Sequence, residues 1–420
     1  MKVLFLAMSS AGYGETLIGL SLARQLGDAG HQCHFIVDTM SGPLLDGSGM
    51  SYVSLDAVMG PLARLIVDAE ISAWHPDVIV LADYFTFCGV FAKRYEIDPW
   101  FVDDYGIPVV PIDIWELAGT SFEVDVFCGK RMAVDKHLLD YPAWLRPVPL
   151  CHVSAGDEPR AFPFQLGVGD ERVSRRTRAH LREVFAIPPE GRLLLLALAS
   201  WQLPNYNDDN GNRVASVVPD LVMQCLADLP PDTHIVQVGQ PLHGFDRLDP
   251  DRTHQMPSCS PSRFNVLLGS VDAFVGLNVG ATTLTRAVLA GVNGVVIQNS
   301  HEADTAEAAT SALEASGRQV DGNLRDWLNR AAPLYPFRMW PLGFHSFLEP
   351  LLENNPYNQA FRTVELLDRD LVTQTIGASL FDSTTSAELA QGRQGYLDAV
   401  AQLPPTAEIF DAVTRSLGLG

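Results

Sequence analysis

Short apolar runs bounded by turn residues alternate along this chain with stretches whose apolar positions recur every three or four residues. Residues 3–8 (Val-Leu-Phe-Leu-Ala-Met) are apolar at six successive positions, as in a strand buried on both faces. Residues 16–26 place Leu17, Leu20, Leu22 and Leu26 on one helical face, and Gly27 to Gly30 stop the helix. Further strands are predicted at 34–37, at 78–82 after a helix ending near Trp74, and at 108–112 after Gly106. Alternating strands and helices predict a parallel sheet with right-handed crossovers. Ligands of such sheets sit beyond the carboxyl ends of the strands, so the loops at 9–15, 83–87 and 113–121 are the informative ones.

The pattern weakens between Pro147 and Pro189, where prolines, a Gly-Val-Gly at 167–169 and a basic run at 172–182 read as a link and the first helix of a second series. Residues 192–199 open that series as a long apolar strand. A polar loop at 205–213, a helix at 219–229 and a strand at 233–238 follow. Residues 271–297 then read as strand (273–275), glycine turn, helix and strand (294–297). Gly280 opens that helix, Thr282 and Thr283 lie in its first turn, and Gly291 closes it. Unpaired N–H groups, two hydroxyls and the positive end of the helix dipole meet at Gly280, Ala281, Thr282 and Thr283, a site suited to a diphosphate. Arg286, one turn along, offers a compensating charge. Beyond it, 303–316 reads as an alanine-rich helix, 335–340 as an aromatic strand-like piece, and 371–376 and 387–403 as helical.

Composition narrows the function. With 420 residues, 47% of them apolar, the chain can build two cores. A net charge of −21 without a Lys/Arg block argues against nucleic acid or an anionic membrane as partner. Positive potential at an anion site must then come from helix ends and a few arginines. The six cysteines are scattered without a C-x-x-C pair, as in a protein with reduced core thiols, and the histidines show no metal spacing. The opening residues read as a first strand and not a signal peptide, and no run of 18 apolar residues predicts a membrane span. The expected location is cytoplasmic; nothing in the pattern specifies an oligomeric state.

Two glycine loops carry a resemblance. Residues 12–31 resemble the G-H-x-x-P-x-x-x-L-A-x-x-L-x-x-x-G-H segment of natural-product glycosyltransferases, with Leu22-Ala23 and Gly30-His31 setting the register. Residues 278–293 resemble the donor segment H-G-G-x-x-T-x-x-E-A-x-x-x-G-x-P of the same GT-B superfamily, matching at Gly280, Thr283, Ala287 and Gly291. Asn278, Val279, Arg286 and Asn293 depart from it. The resemblance implies an α/β GT-B fold: two Rossmann-like domains facing across a cleft, with a C-terminal helix crossing back. It would divide the chain into an acceptor domain at 1–170, a donor domain at 171–375 with an insertion at about 301–341, and a returning helical segment at 376–420.

The resemblance also implies roles. Glu15 falls where the family has the histidine that deprotonates the acceptor hydroxyl, and burial would tune a carboxylate toward that task. Asn278 joins the donor loop. Residues 354–368 resemble the D-Q-x-x-N-A loop and helix, so Asn355, Asn358 and Gln359 are candidates for the donor sugar, with a polar helix cap as the plainer reading. Gly12 and Tyr13 in the first loop, with Tyr84, Phe85 and Trp115 beside the later loops, are candidate acceptor contacts. The implied enzyme is a metal-independent, inverting glycosyltransferase acting on a nucleotide sugar and a hydroxylated small molecule, without a resident cofactor. A non-catalytic auxiliary protein on the same fold and a nucleotide-sugar epimerase stay open. So does a dinucleotide site, since Gly12-x-Gly14 is followed by Asp38 but has Leu17 as its third glycine position.

Overall fold

The apolar run near the start forms the centre of a sheet because every one of its residues from Val3 to Ala7 is fully buried. A computed structural model of the chain describes residues 1–9, 12–126, 129–166, 172–203 and 213–419. The Gly-Val-Gly link, the polar loop up to residue 212 and Cys128 lie outside the described residues, as does the boundary at 170/171 between the expected domains. Strands β1 (Lys2–Ala7), β2 (Gln32–Asp38), β3 (Ser51–Leu55), β4 (Val78–Leu81) and β5 (Val109–Pro111) form a parallel sheet of order β3-β2-β1-β4-β5. A short pair, β6 (Glu123–Asp125) and β7 (Arg131–Ala133), follows. Next, β8 (Trp144–Val148) pairs in parallel with β9 (Ala161–Gln165), and a parallel bridge from Ile112 to Leu145 brings β8 beside the end of β5.

The chain divides into two compact units. The first comprises Met1–Glu123, Ala133–Gly167 and Leu397–Gly420. The terminal helix Thr406–Ser416 is therefore part of it, burying Ile409, Phe410 and Val413. Its Thr406 hydroxyl donates to Gln25 Oε1 at 2.6 Å, and the Gln25 amide donates to Gln165 O at 2.9 Å.

The second unit comprises Val124–Met132 and Val168–Tyr396. Its strands β10 (Arg192–Leu196), β11 (Thr233–Val238), β12 (Thr253–Met256), β13 (Ala273–Gly276), β14 (Asn293–Gln298) and β15 (Phe361–Glu365) form a parallel sheet of order β12-β11-β10-β13-β14-β15. Strand β15 corrects the expected loop and helix at 354–368: a 3₁₀ turn, Pro356–Gln359, leads directly into it. It is an edge strand with Arg362 and Glu365 among its five residues, so its pattern lacks the apolar run by which the inner strands are legible.

The expected helix at 219–229 extends over Arg213–Ala227, with Pro219 in its interior. Proline cannot donate to the carbonyl four residues back. That carbonyl, of Ala215, instead accepts from the Trp340 indole at 3.3 Å, and the Val217 carbonyl accepts from the Trp327 indole at 2.7 Å. Both tryptophans come from 301–341, where the helices Ala306–Ala315 and Gly322–Ala331 pack into the second core. No helix among the described residues is long and apolar enough to cross a membrane.

Candidate active site

Four acids stand at the carboxyl ends of the first sheet. Asp38 ends β2, Glu15 lies in the first turn of the helix Gly14–Asp28 after β1, Asp83 follows β4 and Asp113 follows β5. Three of them hold the start of the next segment. Asp38 accepts from the N–H of Ser9 at 2.9 Å, Met40 at 3.0 Å and Ser41 at 3.2 Å. Asp83 caps the helix Tyr84–Arg94 through the N–H of Phe85 at 3.0 Å and Thr86 at 3.2 Å. Asp113 accepts from the N–H of Leu117 at 2.7 Å and Ala118 at 3.3 Å. Such caps are an N-terminal carboxylate's ordinary use.

Glu15 and Asp83 go further, because Thr86 joins them. Its hydroxyl lies 3.3 Å from Glu15 Oε1 and in closer contact with Asp83 Oδ2. One hydroxyl hydrogen cannot serve two carboxylates, so the second contact is a hydrogen bond only when one acid is protonated and donates back. Burial raises the Glu15 carboxyl above its ordinary value, against hydrogen bonds that lower it, and Asp38 adds to the rise. Burial, with the charge of Glu15 beside it, pushes Asp83 up to about 7. Glu15 Oε2 is buried and has no partner among the described residues. Two acids sharing a desolvated site titrate as a pair and hold a proton near neutral pH. Asp83 and Thr86 lie in the 83–87 stretch that the sequence marks as informative, but the sequence assigns neither a role.

The aromatic candidates divide. Residues 84–87 are helical, not loop, and Tyr84 has no exposed surface. Its hydroxyl accepts from Leu138 N–H at 2.8 Å and donates to Asp135 O at 2.9 Å, which makes it a core residue of the first unit. Trp115 is 8% exposed and Phe85 half-buried, whereas Tyr13 is 44% exposed. Gly12 is tied through its N–H to Ser9 Oγ at 3.1 Å.

In the second unit the turn between β13 and the helix Thr282–Ala290 forms as its sequence predicts. Gly291 ends that helix at φ 89°, a left-handed conformation that glycine adopts without a Cβ clash. The first turn differs in detail. Asn278 is buried and its Oδ1 accepts the Gly280 N–H at 2.9 Å, while its carbonyl accepts the Ala281 N–H at 3.3 Å. Thr282 and Thr283 occupy the first two helical positions, where N–H groups have no intrahelical partner, and the N-cap residue, Ala281, makes no side-chain cap hydrogen bond. Both are half-buried. The available donors are thus narrowed from four residues to these two.

Other nominated side chains are occupied. The Arg286 guanidinium donates to Asn265 Oδ1 and lies 6.0 Å from the Phe264 ring centre. Asn355 caps the 3₁₀ turn through Tyr357 N–H at 3.0 Å, and the Asn358 amide donates to the Leu352 carbonyl. Their amides serve the local cap, while Gln359 is exposed.

Residues 22–418 match the family described as "Family of unknown function (DUF6365)". The chain belongs to this family. No curated protein matches it in sequence. Among solved structures, Anabaena HepE in complex with UDP and glucose is similar over 100% of this chain and 99% of its own, at 14% identity and a TM-score of 0.53. The spinosyn rhamnosyltransferase SpnG with spinosyn aglycone is similar over 98% of this chain and 100% of its own, at 15% identity and a TM-score of 0.54. The glycosyltransferase VinC with dTDP is similar over the whole of both chains, at 16% identity and a TM-score of 0.53. This member of the family has the GT-B glycosyltransferase fold, in the divergent form that its altered loops predict.

Proposed function

We propose that the protein is an inverting glycosyltransferase, moving a sugar from a nucleoside diphosphate donor to a hydroxyl of a small, natural-product-like acceptor. The observation that carries this reading is the buried Glu15–Asp83 pair joined by Thr86, at the position where the resemblance puts the acceptor's base. The acceptor hydroxyl loses its proton to the carboxylate, its oxygen bonds to the anomeric carbon, and the bond to the diphosphate breaks with the electron pair on the leaving group. Burial and the charge of Asp38 raise the basicity of Glu15, and Asp83, itself pushed up to about 7, holds the shared proton. The diphosphate rests on the N–H groups and hydroxyls of Thr282 and Thr283, so the reading needs no resident metal ion or other cofactor. That similar folds were solved with UDP, dTDP and an aglycone supports this class of donor and acceptor.

The test is release of UDP or dTDP from a panel of nucleotide sugars, with and without hydroxylated aglycones. Turnover by the native protein that Glu15→Gln abolishes, with melting temperature retained, is the expected result. Donor binding without any turnover would favour a non-catalytic auxiliary protein instead, a reading to which the altered donor loop at Asn278 also lends support.

A further inference from the structure

We infer that Arg338 reads the negative charge of the donor beside the turn that precedes the helix Thr282–Ala290; this rests on the donor reading above. Residues 337–340 lie across the carboxyl ends of β13 and β14. The Val279 N–H donates to Arg338 O at 3.0 Å, Trp340 N–H to Leu277 O at 2.8 Å, and Phe337 and Asn299 exchange hydrogen bonds of 2.7 and 3.0 Å. Phe337 and Met339 are buried at 0% and 6% exposure. Arg338 stands at a bend between them, with its carbonyl on the Val279 N–H of the turn.

Among the described residues its cation is poorly matched. Arg338 Nε is buried with no hydrogen-bond partner among the described residues. Burial depresses the guanidinium more than Glu349, Glu365 and Asp125 support it, and those acids act on it through space only. Two of the three are committed elsewhere. Asp125 accepts the N–H groups of His345 at 2.6 Å and Phe347 at 2.8 Å, capping the helix His345–Leu352. Glu365 accepts from Ser300 N–H at 2.8 Å and from the Gln298 amide at 3.1 Å. The neighbouring His345 is held toward its neutral form by burial and by Arg338 itself. An incompletely compensated cation beside an anion-binding turn, in a chain of net charge −21, is the arrangement expected of a ligand contact. Arg286, engaged with Asn265, leaves this role to a residue of the 301–341 segment.

Isothermal titration of the full chain with UDP, dTDP, UDP-glucose and UDP-glucuronate tests the inference, using native protein, Arg338→Met and Arg338→Lys. Arg338→Met should weaken UDP and dTDP about tenfold or more, the loss of a hydrogen bond to a charged group, with Arg338→Lys recovering part of it. A loss confined to UDP-glucuronate would assign the same charge reading to a carboxylate on the sugar. Affinities within twofold of native for all four ligands, in both variants, overturn the inference while leaving the donor reading in place. A folded native protein that binds none of the four overturns both.

Discussion

A carboxylate at position 15 differs from the family's histidine in what it needs from its surroundings. Histidine titrates near neutrality unaided, whereas a glutamate must be desolvated and crowded by a second acid to become a base of comparable strength. Burial desolvates Glu15 and Asp38 supplies the second charge, against hydrogen bonds from Ser9 and Thr86 that lower its pKa. Glu15→Gln should therefore lower kcat by about 10²–10⁴-fold, the worth of a positioned base, with KM for the donor little changed. Steady-state kinetics on both substrates checks it. Thr283→Val should weaken donor binding by roughly 1–3 kcal/mol, since it removes a hydroxyl donor to a charged group and leaves the turn intact. Titration with UDP reads this directly, and unchanged affinity would move the donor elsewhere. At this scale the sequence singles out Glu15 and the two threonines as candidates but not their partners. Asp83 is 68 residues from Glu15 in the chain, and only pairing of β1 with β4 brings their strand ends together.

Between elements, two glycines of one helix make a paired test. In the helix Ser383–Val400, a Cβ at Gly392 would overlap the backbone carbonyl of Gln359, whereas one at Gly395 would meet nothing within 4 Å. Gly395→Ala should stabilise by about 0.5–1 kcal/mol through helix propensity. Gly392→Ala should instead destabilise by about 1–3 kcal/mol, because overpacking against backbone outweighs propensity. Denaturant melts of both variants decide it, and equal effects would show that this helix does not press on the 356–359 turn. The same contact explains why β15 and its 3₁₀ turn were not legible as such: the element is held by β14 on one side and this helix against its turn, not by its own pattern. The inner strands, apolar on both faces, needed no such context.

Over the whole molecule, the row of buried acids sets a pH dependence. Asp83 is raised from about 3.8 to about 7 and Asp113 to about 6, so each favours the folded state while protonated. A raised folded pKa gives stability that is fully present below the unfolded value and is lost as pH rises through the folded value. Stability from these acids should thus fall between about pH 4 and pH 7, by at most about 4 kcal/mol for Asp83 at 1.36 kcal/mol per unit. Asp83→Asn should flatten that slope in melts taken from pH 4 to 8. Turnover should move oppositely, rising as the Glu15–Asp83 pair loses its shared proton.

The sequence by itself determined the two strand–helix series, the GT-B fold and the glycine-bounded helix at 282–290, because buried parallel strands and helix ends write continuous local patterns. The tertiary structure alone decided which polar groups remain available for ligands. Asn278 takes the Gly280 N–H, Asn265 takes Arg286, and the cap at 355–358 uses its own amides. Arg338 and the Glu15–Asp83 pair emerge for the same reason. A side chain's chemistry depends on its hydrogen-bond partners and burial, and those are supplied by residues far along the chain.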